Sequence, residues 1–431
     1  MKRVLTLFAV FLFLISPVFA KKSLVKLENL SFEKVREIAK RDLDFARVEK
    51  NFIEVVLDEE QLKGFSNEKI SCSYIIFDLD NYISKIIRSQ TKDAQYFTYK
   101  SMTDALKGYA EKYSGVCKLE SIGKSCEDRD IWGLKISDNP EKDEKEPAAL
   151  IMGAHHSREW ISFEVPMATI KTLLEGYGND EKITGLINER EIWIVPMVNP
   201  DGVIYSQTNE KYWRKNRRKN QGGSYGVDPN RNYGFKWGVS GSSSSPGSDV
   251  YHGPGPFSEP ETQAIRDLAQ REHFQADISF HSYSELILYP WSYAENVPNP
   301  HHDLFAKFGE EMSKFNGYTS EVSSDLYPSS GDTDDYLYGE LKSLSFTFEL
   351  ATTFIPQPSM ISQINKQNVP AVLYLIEKAG TYGLVSPAGG DAIPALNSAT
   401  LISALNDFSP FSLDEGVQSR IQQVQRELAH R

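Results

Sequence analysis

Cysteine is scarce in this chain: Cys72, Cys117 and Cys126 are the only three among 431 residues. An odd number leaves at least one thiol outside any internal disulfide. Cys117 and Cys126 flank Ser121-Ile122-Gly123-Lys124, which reads as a turn. They either pair or stand as separate structural thiols, and spacing alone does not decide between the two. None of the three sits at a zinc-ligand spacing. A basic excess is also lacking. The net charge of -12 argues against nonspecific nucleic-acid binding, which needs a positive surface. Beyond residue 20 no apolar run is long enough to span a bilayer, so no membrane anchor is expected.

What is present begins with export. Lys2-Arg3, the apolar run Leu5 to Ile15 and the small-residue ending Val18-Phe19-Ala20 read as a signal peptide over 1–20. A soluble secreted or periplasmic protein is expected, and the short signal points to a bacterial source. Hydrophobic residues make up 40% of the chain and aromatics 12%, ample for a packed core. Its length predicts two or three domains.

Residues 21 to about 90 read as a small α/β unit. Leu24-Val25-Lys26-Leu27, Phe52 to Leu57 and Ser73 to Phe77 read as strands. Ser31 with Glu33, Val35, Ile38 and Ala39 reads as a capped helix, and Glu59 to Phe65 as a second one. A polar stretch from Arg88 to Gln95 follows. The unit is expected to be a prodomain with an activation linker over 21–95, the alternative being a permanently attached subdomain. From about 98 to 380 strands alternate with helices, as in a doubly wound sheet. Helices are expected at 101–113, 160–176, 259–271, 301–314 and 359–378. A catalytic domain is assigned to 96–384. The segment 385–431 is a tail whose role cannot be read.

Four apolar runs in that larger domain end at polar residues suited to metal hydrolysis. Ala148 to Gly153 runs into His155, His156 and Glu159; Ala276 to Phe280 ends at His281; Ser343 to Phe348 ends at Glu349; and Glu191 to Val195 leads to Asn199, Pro200 and Asp201. Ligand sites of open α/β sheets form outside the carboxyl ends of strands. His156 and Glu159 share a face at i, i+3, and an imidazole with a carboxylate suits zinc. His155 with Glu159 at i, i+4 competes with that pair. His281 is the candidate third ligand. Glu349 either works as a base beside the metal or pairs with a buried Arg, because an unpaired carboxylate there is costly. Tyr212 to Lys219 is a basic run, and its Arg residues suit carboxylates and oxyanions.

These segments resemble the zinc metallocarboxypeptidases of the carboxypeptidase A/B family. The match is carried in order by Gly153 to Trp160, Val198 to Gly202, Trp213 to Arg217, Asp228 to Asn232, Tyr251 to Pro254, Phe257 to Thr262, His281 to Ser284 and Ser345 to Leu350. The N-terminal unit is similar to the family's inhibitory prosegment in layout only. The resemblance implies a mixed, mostly parallel sheet with helices on both faces, preceded by the small α/β unit. It also implies one zinc ion per chain on His156, Glu159 and His281, with Asp228 orienting His156. The activity implied is exopeptidase hydrolysis at the C-termini of peptides and proteins. Glu349 would be the general base and Arg217 would stabilise the oxyanion. Asn230 and Arg231 would grip the terminal carboxylate, Arg158 and Arg214 would be accessory, and Tyr327 would close over the last residue. Asp334, seven residues after Tyr327, and Ser292 resemble a pocket for Lys or Arg. Asp332 is a second candidate acid, and a bulky Val322 would give a shallower, mixed pocket. A monomer and an activating protease are expected. The alternatives are a cell-wall peptidase of the same fold, which would alter the carboxylate grip, and an inactive binding module, which would have lost a ligand or the Glu.

Overall fold

The computed structural model describes residues 21–382. The expected signal peptide and tail lie outside the described residues.

The N-terminal unit is a four-stranded antiparallel sheet built from β1 (Ser23–Glu28), β2 (Asp44–Glu49), β3 (Phe52–Leu57) and β4 (Ser71–Ile76), in the order β2-β3-β1-β4. Val25, Leu27, Ile53, Val55 and Leu57 alternate along the central pair and face Val35, Ile38 and Phe65 of two helices, Phe32–Ile38 and Glu59–Asn67. Both helices start where the sequence caps them. Ser31 accepts from the Lys34 amide, and Asp58 with Gln61 forms a capping box. Two elements were not read from the sequence. β2 is half polar, with Asp44, Arg47 and Glu49 among its six residues. The helix Leu79–Ser89 carries Leu79, Ile83 and Ile86 on its buried face behind an Asp78 cap, between the segments read as strand (73–77) and linker (88–95).

The larger part holds an eight-stranded sheet: β5 (Cys117–Lys124), β6 (Asp130–Ile136), β7 (Ala148–Gly153), β8 (Glu191–Val195), β9 (Ala276–His281), β10 (Leu286–Tyr289), β11 (Thr319–Val322) and β12 (Leu344–Glu349). Its order is β11-β10-β12-β9-β7-β8-β6-β5. The centre, β12-β9-β7-β8, is parallel, as is β10-β11 at one edge; β10-β12, β6-β8 and β5-β6 are antiparallel. The sheet is therefore mixed, with its parallel core covered on both faces. Leu150, Met152, Trp193 and Val195 pack on Ile265, Leu268 and Leu337. Helices Ile161–Gly176 and Ile361–Lys378 lie against β7 and β9. All five helices expected from the pattern are present, within three residues at each end.

The three cysteines are free thiols, which settles the pairing left open by spacing. Ser121 to Lys124 is the end of β5, not a turn; the reversal comes at Ser125–Asp128, where the Asp128 amide bonds the Ser125 carbonyl.

Candidate metal centre and active site

The parallel strands deliver their polar endings to one edge of the sheet. In the β12–β9 register Glu349 is opposite His281, and β9 pairs with β7 up to Gly153. A Cβ on Gly153 would lie 2.2 Å from the Ser162 carbonyl oxygen, so only glycine lets β7 meet the start of helix Ile161–Gly176. Ala154 then turns the chain at φ 57°, and His156 and Glu159 follow on a tight loop. The Glu159 amide bonds the His156 carbonyl at 3.2 Å, which brings the i, i+3 pair onto one side.

His156 Nδ1 lies 2.8 Å from Glu159 Oε1, and His281 Nδ1 lies 3.0 Å from Glu159 Oε2 and 3.1 Å from His156 Nδ1. Two ring nitrogens and one carboxylate thus converge on a single point in a buried setting. The donor set fits zinc: two imidazoles and one carboxylate leave a fourth position open, as in catalytic sites. His156 Nε2 donates to Asp228 Oδ1 at 3.1 Å, which leaves Nδ1 its lone pair for the ion. His155 is held away from this point by Tyr233 at 2.8 Å, and by Ser279 and Thr333. His156, Glu159 and His281 therefore form a zinc site, the one candidate donor cluster among the described residues that holds two imidazoles.

The charges around the centre are answered in pairs. Burial raises the pKa of Asp228, but Arg214 and then His156 outweigh it and hold the carboxylate well below its usual range. Arg214 makes two bonds to Asp228 Oδ2, at 3.0 and 2.8 Å. Glu349 is pushed well above the usual carboxylate range, by burial and then by Glu159, against Arg214, Arg231 and Arg158.

A cavity beside the centre is lined by Asn230, Arg231, Ser292, Tyr327, Asp332, Asp334, Thr347 and Glu349, together with His156 and His281. Pro229–Arg231 is a short 3-10 turn capped by Asp228, which sets Asn230 and Arg231 side by side at its rim. Gly331, at φ 74°, comes so close that a Cβ would meet the Arg231 carbonyl at 2.4 Å. This contact carries Asp332 and Asp334 into the cavity. Asp334 Oδ1 is buried with no hydrogen-bond partner. Burial, then Asp332 and Asp277, push its carboxyl well above the usual range. Val322 is not among the lining residues.

Arg217 is placed elsewhere. Its guanidinium lies 3.5 Å from the Tyr205 ring centre and 4.7 Å from those of Trp213 and Tyr225. The expectation that Arg217 meets the oxyanion does not match this position. The Ser157 amide and hydroxyl bond the carbonyls of Arg214 and Trp213, which docks 213–214 on the metal loop. Asn216 then turns inward to Glu259 and Glu261, and Arg217 leaves on the far side.

Sequence reasoning missed Asp44, on β2. Its carboxylate takes two bonds from Arg158, at NH1 and at NH2 (2.6 Å), and lies 3.7 Å from Arg214 NH1. Phe45 packs on Tyr327, Asp42 accepts from Ser243 and Ser248, and Glu54 accepts from Tyr283 at 2.6 Å. No local pattern marks these residues, because each works only through the docking of one unit on the other.

Residues 102–371 match the model of the family "Zinc carboxypeptidase". The zinc carboxypeptidase of Saccharothrix mutabilis subsp. capreolus is 36% identical over 295 residues, covering 64% of this chain and 68% of that protein. Carboxypeptidase A2 of Rattus norvegicus is 35% identical over 266 residues, 60% of this chain and 63%, under two thirds, of that protein. The carboxypeptidase A structure from Helicoverpa armigera shares the fold at a TM-score of 0.75 and 22% identity, over 85% of this chain and 100% of that one. That share of this chain exceeds what residues 96–382 supply, so the likeness in fold extends into the N-terminal unit. With the matched model spanning more than half the chain around a fitting metal site, the chain belongs to the zinc carboxypeptidase family.

Proposed function

We propose that this chain hydrolyses the C-terminal peptide bond of peptides and proteins, one residue at a time, and that residues 21–95 hold it latent until cut. The observation that carries the reading is the placing of His156, Glu159 and His281 beside Glu349 and the Asn230–Arg231 pair. Zinc held by the three ligands would acidify water and polarise a scissile carbonyl. Glu349 takes the proton of the attacking water and returns it to the leaving amine. Arg214, not Arg217, donates to the developing oxyanion, since its guanidinium already lies beside Asp228 and the metal loop. Asn230 and Arg231 hold the substrate's free carboxylate, which restricts cleavage to the last bond. Tyr327 covers the last residue. Its side chain enters the cavity of Ser292, Asp332 and Asp334, where a C-terminal Lys or Arg meets the unpartnered Oδ1 of Asp334 and Phe or Leu does not.

The retained carboxylate grip favours this reading over a cell-wall peptidase. The prodomain assignment is supported by Asp44, which occupies Arg158 and approaches Arg214 inside the cleft. Between the helix ending at Ser89 and the anchored Tyr96 lies the exposed turn Thr91–Ala94, and Lys92 at its tip is the bond proposed for the activating protease. The charged and apolar pattern of residues 1–20, read as a signal peptide, supports export to the periplasm or the exterior, and a bacterial source and a monomer belong to the same proposal. Among the described residues no helix is long and apolar enough to cross a membrane.

One experiment tests the reading. The purified chain, before and after limited proteolysis, is assayed on blocked peptides and for zinc. We expect about one zinc per chain, loss of turnover on chelation, loss of zinc in His156→Ala, and activity that rises at least about tenfold on cutting at Lys92. Full zinc in His156→Ala overturns the ligand assignment. Full activity before cutting makes the N-terminal unit a permanent subdomain.

A further inference from the structure

Asp277 lies in the middle of the large sheet, on β9, and is fully buried. An acid in the parallel core of a sheet is costly, and this one is only half answered. Its Oδ2 accepts from the Ser345 hydroxyl at 2.6 Å, but its Oδ1 has no hydrogen-bond partner. Asp334 is in the same condition: it is 2% exposed, and its Oδ1 is unpartnered too. Neither carboxyl forms an ion pair among the described residues.

Two registers put these acids against one face of the sheet. Along β12, Ser345 is opposite Asp277, Thr347 opposite Ser279 and Glu349 opposite His281, so a polar row runs from the reaction centre back to Asp277. On its other side Asp277 is opposite Leu150 of β7, which packs in the cluster that contains Leu337. Leu337 and Asp334 are three residues apart on helix Thr333–Leu341 and share its face. Asp334 and Thr347 line the cavity for the last side chain, whereas Asp277 does not and lies one layer behind them.

The other titratable groups around the pair are acids or neutral. The helix adds Asp332 and Asp335, both bonded to backbone amides. β12 adds hydroxyls and, at its end, Glu349. Tyr233 adds a phenol bonded to His155, which burial holds neutral. Arg231, at the cavity rim, is committed to the carbonyls of Gly241 and Asn230. Two carboxylates buried together without a cation do not both ionise. Burial pushes the Asp277 carboxyl up to about 7, opposed by the serine hydroxyls of β12. Asp334 is held well above the usual range by burial, then by Asp332 and Asp277. Above neutral pH the charge of the free pair therefore rests on Asp277 and its proton on Asp334.

We propose that Asp277 is a positioning residue for substrate choice: the two carboxyls hold one proton between them, and a C-terminal Lys or Arg drives it from Asp334 onto Asp277. The ammonium or guanidinium then meets an ionised Asp334, Asp277 is left neutral, and no proton is exchanged with solvent. Phe or Leu moves nothing. This role rests on the exopeptidase and basic-pocket readings above. It gives the preference for a basic end to a residue that touches no substrate.

The test uses the chain after limited proteolysis and two blocked peptides that differ only in a C-terminal Lys or Phe, assayed from pH 5.5 to 8.5. The substrate ammonium stays charged over this range, and the titration of Glu349 acts on both peptides and cancels in their ratio of kcat/KM. In the wild type the Lys:Phe ratio should climb with pH and level off near neutrality. Below that the pair is fully protonated, binding a cation expels a proton, and the ratio falls by up to about tenfold per pH unit. Asp277→Asn keeps the shape and removes the acceptor, so every bound Lys must expel a proton. Its ratio at pH 7.5 should be lower by at least about fivefold and still climbing at pH 8.5, with kcat/KM for Phe within about twofold of wild type. At pH 5.5 the two enzymes should converge. In an Asp334→Asn background the same change should do nothing, because Asp277 acts only through Asp334. If Asp277→Asn does not retain zinc, Asp277→Ser reads the same ratio. A ratio in Asp277→Asn that follows the wild type at every pH, or an equal loss for Lys and Phe, overturns the role of Asp277 and leaves the pocket intact. A wild type that never prefers Lys sinks the basic pocket instead, and no cleavage of either peptide sinks the peptidase.

Discussion

Two buried groups of acids lie within one cleft and are treated in opposite ways. At the metal centre Asp228 is answered by Arg214 and His156, and Glu159 by His156 and His281. Behind the neighbouring cavity Asp277, Asp332, Asp334 and Asp335 form no ion pair among the described residues. Asp335 accepts two backbone N–H groups, from Ser292 and Tyr293. Asp332 accepts from the Asp335 amide and Ser329, and Asp277 from Ser345. Asp334 keeps one oxygen unpaired. Burying acids without a cation costs stability, and folded chains seldom do so idly. The first group is complete apart from its metal ion. The second is short of a cation, and on our reading the substrate's last side chain brings it.

Glu349 is where the two groups meet, since it lines the cavity of Asp334 and also lies opposite His281. Its removal should give the largest effect. Glu349→Gln is expected to lower kcat about a thousandfold, within the range ascribed to general acid–base catalysis, with zinc content and KM little changed. Near-normal kcat in this variant would make Glu349 another silent acid, and the two groups would no longer differ in kind.

The second group is tested by Asp334→Ala. The ratio of kcat/KM for C-terminal Lys over Phe should fall by at least about tenfold, the equivalent of about 1.4 kcal/mol. Asp332→Asn should move it less, because Asp332 caps helix Thr333–Leu341 and both its oxygens are already occupied. If Asp332 moves the ratio and Asp334 does not, the roles of the two acids are exchanged.

The same contrast explains what the sequence disclosed. The metal ligands were legible because each follows a strongly apolar strand, and because His156 and Glu159 lie three apart on one short loop. Glu349 was legible for the same reason, ending Leu344–Glu349. The resemblance gives the oxyanion to Arg217 and an accessory role to Arg214, and nothing in the local pattern tests that choice. Both lie in an irregular segment between helix Pro200–Thr208 and the turn at Pro229, where no period says which side chain points inward. Only the bonds of Ser157 to that backbone decide it. Asp44 was invisible because β2 is half polar and lies at the edge of its sheet, so no clean alternation marks it, and Asp44 is buried only by the larger domain's Arg158. Helix Leu79–Ser89 had the signals, an Asp cap and apolar residues at helical spacing, but they lie between the strand read over 73–77 and the polar stretch read from Arg88, and no element is read there.

A third buried acid, outside both groups, gives the smallest and sharpest test of the idea that an uncompensated carboxyl is carried neutral. Glu164 lies in helix Ile161–Gly176 and accepts one bond, 2.7 Å, from the Phe97 amide, where the linker joins the larger domain. Burial, opposed only by that bond, pushes its pKa up to about 8. An unfolded Glu titrates near 4.3. Between those values the native state holds a proton that the unfolded chain has lost. The stability gained from keeping the group neutral is thus fully present at low pH, and it declines as pH rises through this window, by at most about 1.4 kcal/mol per unit. Glu164→Gln keeps an acceptor for Phe97 and removes the titration. Its Tm relative to wild type should be near zero difference at pH 4.5 and higher by a few degrees at pH 8.5, measured on the uncut chain. A difference that does not change with pH would show that Glu164 ionises normally in the fold. It would also remove the argument that this protein carries an unpaired buried acid only when it is neutral or when a cation is on its way.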